Sequence, residues 1–254
     1  MRLGHRKARI LAAALAAVLS ASPAAAGDGF AITLLQPLPF ADGVVTGSVA
    51  AADIPELMQR PVSAGTNPDV DGVQMTSHAG DTRTVRTCAD YLELVRSGWF
   101  ADTTFDMTVE SSFNFTCVTL AFLAVAAAPT RSFIDTPEVG VGDIDLLPAT
   151  VLPVVAAAER LQLHELAAKG KTVADLIDPG AASTIVEPHE VRYRYQGMEQ
   201  DLSELARADF DGDGIADILL FVSDTSLYGS YRAAYHLVLT RKAAEGPFSV
   251  LPEE

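Results

Sequence analysis

Basic residues are scarce in this chain. Eighteen Lys and Arg stand against 33 Asp and Glu, a formal net charge of −15 at pH 7. That deficit argues against nucleic acid or an anionic lipid surface as partner, since both are held by patches of positive charge. Cysteine is rarer still, with Cys88 and Cys117 alone among 254 residues. No Cys/His spacing of the zinc-binding kind accompanies them. Long apolar runs are missing too. Ile10 to Leu19 and Cys117 to Ala128 both fall short of the roughly 20 residues that a spanning helix needs. The later run reads as a buried core helix. The earlier one follows a basic start (Arg2, His5, Arg6, Lys7, Arg9) and precedes Ala24-Ala25-Ala26, which is the pattern of an export signal cleaved before Gly27. An uncleaved anchor is the alternative. Cleavage removes four basic and no acidic residues, leaving 14 basic against 33 acidic, a net charge of −19. The expectation is a periplasmic or secreted protein with no membrane span after cleavage. Two cysteines in an exported chain are expected to pair as a disulfide, Cys88 with Cys117, with two buried free thiols as the alternative.

The usual catalytic signatures are absent. His164-Glu165 lacks the second His of a zinc-protease helix, because position 168 is Ala. Ser111-Ser112 lies outside any nucleophile-elbow pattern. No glycine-rich phosphate loop follows a strand, and no repeat of propeller-blade length recurs. His189-Glu190 has no nucleophile placed beside it. Asp106 and Glu110 fall four apart on one helix face and are the remaining candidates for paired carboxylates; a bias of negative charge toward the helix start accounts for them equally. Tyr193, Tyr195, Tyr228, Tyr231 and Tyr235 either pack within strands or line a surface for a protein or glycan.

Four stretches organise the chain: the signal (1–26), a loop-rich segment punctuated by Pro and Gly (27–86), a helical region with the disulfide (87–181) and an antiparallel β region (182–254). In the loop-rich segment only Ala31 to Leu35 suggests a short strand, with one helical turn near Pro55 to Gln59; Asp69-Val70-Asp71-Gly72 reads as a plain turn. Thr87, with Asp90 three residues on, caps a first helix that Gly98 ends. Phe105, Val109, Phe113, Cys117, Leu120 and Ala124 then trace one buried stripe on a second helix. Antiparallel packing of the two brings Cys88 beside Cys117. A further helix is expected from Leu152 to Lys169 and a short one from Thr172, with a candidate boundary at Pro179-Gly180. Alternation in Val191 to Tyr195 marks strand behaviour, Gln196-Gly197 a turn, and strands follow near 202–208, 216–222, 231–240 and 248–251. The fold class expected is α+β, a helical hairpin region followed by an antiparallel β-meander.

Between two of those strands lies Asp209-Phe210-Asp211-Gly212-Asp213-Gly214-Ile215-Ala216-Asp217. Carboxylates packed this closely repel unless a cation neutralises them, and an all-oxygen ligand set selects a hard ion. Ca2+ accepts six to eight oxygens in flexible geometry; Mg2+ prefers waters and strict octahedra. The loop is no EF-hand, because Leu220 stands where the bidentate Glu belongs and a strand follows instead of a helix.

The segment Asp209 to Leu219 resembles the calcium loop of FG-GAP and VCBS-type repeats, which joins two strands of a hairpin. The resemblance implies that Asp209, Asp211, Asp213 and Asp217 offer side-chain oxygens and Ile215 its carbonyl, with Gly214 at positive φ. That family repeats the loop in propeller blades, whereas this chain carries one copy. The function expected is an exported, calcium-stabilised binding or structural protein, non-enzymatic, with a protein or glycan partner. The alternatives are a secreted hydrolase with a structural calcium, whose acids lie in the helical region, and an inhibitor of a secreted enzyme.

Overall fold

Strand β1 (Ala31–Phe40) buries Ile32, Leu34, Leu38 and Phe40. It turns at Ala41-Asp42 into its antiparallel neighbour β2 (Gly43–Ala50). The expected strand stopped at Leu35 because Pro37 and Pro39 follow. The register shift between Leu34 and Leu38 explains why β1 continues, since an irregularity is where a strand tolerates a missing N–H donor. The computed structural model describes residues 30–65, 70–134, 139–177, 184–187 and 189–252. The proposed signal, Asp69 and Pro179-Gly180 lie outside the described residues.

The chain forms two units, Met1–Ala127 with Pro252–Glu254, and Ala128–Leu251. The first is not the loop-rich segment expected for 27–86. After β2 comes a one-turn helix α1 (Ile54–Leu57), with Pro55 in its first turn, where its missing N–H costs nothing. A short hairpin follows, β3 (Val73–Thr76) with β4 (Thr82–Val85), and buries Val73, Met75 and Val85. Helix α2 (Cys88–Arg96) begins where the Thr87 hydroxyl accepts the Asp90 N–H, and ends near Gly98 at φ +80°. Helix α3 (Thr104–Phe113) is capped in the same way by Thr103 and Asp106. It runs through a π-turn (Asn114–Val118) into α4 (Thr119–Val125).

The stripe expected on this second helix holds in its middle. Val109, Phe113, Cys117 and Leu120 are buried, but Phe105 is 57 % exposed and Ala124 is also outside. The π-turn inserts extra backbone and shifts the phase of the face, which carries Ala124 off the stripe, whereas Phe105 stands ahead of it in the first turn of α3. Thr104–Val125 is long and apolar enough to cross a membrane by length and composition alone, with a mean hydropathy of 1.3. Here Phe113, Cys117, Leu120 and Leu123 are wholly buried within the unit. Cys88 and Cys117 form the disulfide, their Cα atoms 4.9 Å apart.

The second unit carries helix α5 (Ala157–Ala168), which starts five residues later than expected. Glu159 accepts the N–H groups of Val155 and Ala156 and so fixes its first turn. Only Leu163 of its apolar residues is buried, and Leu161 is 67 % exposed. No helix forms at Thr172; Asp175 takes the Thr172 N–H and hydroxyl and holds a turn instead.

The β-meander is as expected. Strands β5 (Thr184–Glu187), β6 (Glu190–Tyr195), β7 (Met198–Ala208), β8 (Asp217–Ser226), β9 (Arg232–Thr240) and β10 (Ser249–Val250) each pair antiparallel with the next. Gln196 and Gly197, both at positive φ, make the tight β6–β7 turn. Val191, Leu202, Ile218, Leu220, Val222 and Leu239 form the core face together with Leu147, Val151 and Phe248. The whole is an α+β fold. Strands β7 and β8 stay paired as far as Ala208 and Asp217, so the eight residues between them project from one end of the hairpin.

Candidate metal centre

The acidic loop closes on itself through its own carboxylates. Asp209, 3 % exposed, accepts the Gly212 N–H on Oδ1 (2.7 Å) and the Gly214 N–H on Oδ2 (2.9 Å). Asp211 Oδ1 accepts from Asp213 N (3.0 Å), and Asp213 Oδ1 accepts from Ile215 N (2.8 Å). Asp217 Oδ2 accepts from Phe210 N (2.9 Å). These bonds curl the chain so that one oxygen each from Asp209, Asp211 and Asp217 lies within 4.8 Å of the others, a cluster able to hold a metal ion.

Asp217 tests the fit of an ion. The residue is wholly buried, and its Oδ1 has no hydrogen-bond partner among the described residues. Burial raises its pKa from 3.8 to about 6, and the charges of Asp211 and Asp209 add to the rise. The Phe210 N–H and the Thr240 hydroxyl beside it pull the other way. The Thr240 contact falls short of hydrogen-bond geometry, so that hydroxyl is also buried without a partner. An orphaned carboxylate oxygen beside two further carboxylates suits a hard cation, which would satisfy the lone pair and cancel the repulsion. Asp211 is likewise raised, chiefly by burial, and then by Asp213 and Asp209.

Asp213, the fourth expected side-chain ligand, does not join the three. Its Oδ2 takes the Lys242 ammonium at 2.8 Å, and that hydrogen bond holds its pKa below the usual carboxylate value. Ile215 is buried at the foot of the loop, its N–H committed to Asp213. Phe210 is half-buried, while Ile218 and Leu219 enter the sheet core as expected.

Sequence reasoning missed the outer brace. The Gly214 carbonyl accepts from Thr130 N (2.9 Å), Thr130 Oγ1 (3.0 Å) and Arg131 N (3.1 Å), and Ala216 N returns to Arg131 O (2.9 Å). Thr130 and Arg131 follow Pro129, and no local pattern connects them with a loop so far along the chain. Lys242 was equally silent, a lone basic residue just beyond a strand. Gly214 sits at φ +82°, and an added Cβ would lie 2.9 Å from Thr130 Oγ1. Gly214→Ala should therefore destabilise the second unit by about 1–3 kcal/mol, through left-handed strain and displacement of the brace. Urea unfolding followed by tyrosine near-UV dichroism measures it; a loss under about 0.5 kcal/mol would show that the brace gives freely.

The other candidates disperse. Asp106 is absorbed by Thr103 at the start of α3, while Glu110 accepts from the buried Tyr91 hydroxyl at 3.3 Å. The two acids thus take separate partners. Burial raises the pKa of Glu110. His164 and Glu165 are exposed on α5. His189 pairs with buried Glu204 (3.2 Å) instead of Glu190, and Glu204 is also bound by Arg207 and by the Val141 N–H, an anchor for the 139–141 stretch. Ser111 donates to Thr108 O within its own helix. Tyr193 and Tyr235 bond Gln200, which donates to Asp224 (2.7 Å), a buried strip across four strands. Tyr228 alone of the five is fully outside, 91 % exposed. No protein-family model, curated protein or solved structure matches the chain.

Proposed function

We propose that the chain is an exported, calcium-stabilised binding or structural protein with no catalytic centre of its own. The observation that carries this reading is the orphaned, wholly buried oxygen of Asp217 beside Asp209 and Asp211. Ca2+ fits better than Mg2+, because several protein oxygens gathered in an irregular loop suit its flexible, many-oxygen coordination, whereas Mg2+ keeps most of its waters and binds through one or two carboxylates. Ile215 would add its carbonyl and Asp213 a fourth side chain. The disulfide agrees with an oxidising compartment.

The ion's role is to hold the β7–β8 end of the sheet. The β8–β9 turn, with exposed Leu227 and Tyr228, is the surface we assign to a protein or glycan partner. It lies at the far end of β8, about 30 Å along a ten-residue strand, so the ion does not brace it directly. Asp106 bonded to Thr103 and Glu110 bonded to Tyr91 give the hydrolase alternative no hydrogen-bonded carboxylate pair to draw on. Calorimetric titration of chelator-stripped protein tests the reading: uptake of one Ca2+ per chain at submillimolar to millimolar concentration is expected, and its loss in Asp217→Ala. No heat and no rise in melting temperature with Ca2+ would end the proposal.

A further inference from the structure

Lys242 stands over the mouth of the acidic loop. Its ammonium is 2.8 Å from Asp213 Oδ2 and 3.9 Å from Asp211 Oδ2. The placement is built by the fold. Strand β9 runs alongside β8 with Thr240 opposite Asp217, so the residues just past Thr240 emerge beside the loop. There the backbone is pinned by Arg241, which is 8 % exposed and donates to three carbonyls: Gly246 (3.1 Å), Phe133 (3.0 Å) and Ala244 (2.6 Å). A guanidinium fixed on three sides holds the backbone from which Lys242 springs. The Lys242 side chain itself is 57 % exposed and free to swing outward.

Resting on the metal reading above, we propose that Lys242 is a built-in competitor for the ion, holding Asp213 out of the ligand set until a divalent cation displaces it. The three carboxylates that already converge admit the ion. Asp213 joins them only by giving up the ammonium, and the lysine then moves off. A cation a few ångströms from a dication repels it, so the lysine lowers the affinity of the site and raises the ion concentration at which it fills. An exposed lysine is screened, so the effect is a tuning of the threshold and not an on–off block.

Calorimetric Ca2+ titration of four full-length proteins tests this: wild type, Lys242→Met, Asp213→Asn and the double variant. Lys242→Met should bind about five- to tenfold more tightly than wild type, and Asp213→Asn should bind more weakly. In the Asp213→Asn background the Lys242→Met gain should shrink to twofold or less, the mark of two groups acting through one contact. Amine-modification rates of Lys242, read by mass spectrometry, should rise when Ca2+ is added to wild type. Equal affinities in wild type and Lys242→Met, with Ca2+ still bound, would overturn the competition while leaving the metal site intact. Absence of uptake in all four proteins would overturn both.

Discussion

Stripped of divalent ions, the second unit should gain stability as the pH falls from about 7 to about 5. Asp217 is the reason. Its folded pKa of about 6 lies above the ordinary 3.8, so the native state binds the proton more tightly than the unfolded chain. Stability contributed by such a carboxyl is greatest when it is protonated and is lost as the pH rises from 3.8 through 6. The shift is equivalent to about 2–3 kcal/mol, the lower figure allowing for water on the exposed Asp211 and Asp213 side of the loop. Asp211 is shifted the same way. Asp213 is shifted oppositely, and its contribution is lost only below its usual carboxylate range, outside this window.

Saturating Ca2+ should abolish the trend or reverse its sign, because the ion favours the ionised form and competes with protons. Asp217→Asn gives the sharper result. In chelator at pH 7 it should be more stable than wild type by about 2 kcal/mol, since a neutral amide keeps the Phe210 bond without the buried charge. It should also lose the Ca2+ response. Five of the six tyrosines lie in the second unit, so near-UV dichroism during urea unfolding reports it. Superimposable pH profiles with and without Ca2+ would contradict the assignment of Asp217 as a ligand.

Replacing both Cys88 and Cys117 by Ala should destabilise the first unit by about 3–4 kcal/mol. The bridge closes a loop across 29 residues, and freeing it restores that much chain entropy to the unfolded state in the loop-closure description. Both residues are wholly buried, so the lost sulfur packing adds to the cost. Trp99, the single tryptophan, lies in this unit and its fluorescence reports the transition. The same burial means that mild reductant without denaturant should leave the disulfide intact over hours, because reagent reaches it only through opening of the helices. Rapid reduction in native buffer, or a loss under 1 kcal/mol in the double variant, would count against this account.

What the sequence made legible was local chemistry. Carboxylates at every second residue pointed to the cluster that could hold a cation, and Thr87 with Asp90, or Gln196 with Gly197, specify a cap and a turn within a few residues. The cysteine pair was legible because the chain has only two cysteines, and a helical hairpin brings their segments side by side. The misses were of another kind. Pro37 and Pro39 read as breakers, yet β1 absorbs the first of them in a register shift that only its pairing with β2 creates. Ala124 fell off the stripe because a π-turn leaves no trace in hydrophobic spacing, and Phe105 because it stands in the first, exposed turn of its helix. Leu161 carries the right residue type but faces outward on a helix that buries little beyond Leu163. Within the site, the resemblance implied an ion contact for Asp213, and no short stretch of sequence foretold that Lys242, 29 positions away, would bind it. Contacts made across such separations are decided by strand order, which no short window of residues contains.

The grip of Thr130 and Arg131 on the Gly214 carbonyl makes the acidic loop a poor graft. Those two residues stand at the beginning of their unit, 84 positions upstream from the glycine they hold. A hairpin cut out from Met198 to Ser226 keeps every aspartate but surrenders that carbonyl to water, and its turn relaxes toward conformations in which the carboxylates part. A nascent chain is in the same position until its 214–216 segment has come back to meet its 130–131 segment. An ion taken up by this loop would therefore arrive late in the life of the molecule, a seal on a finished unit and not a seed for it.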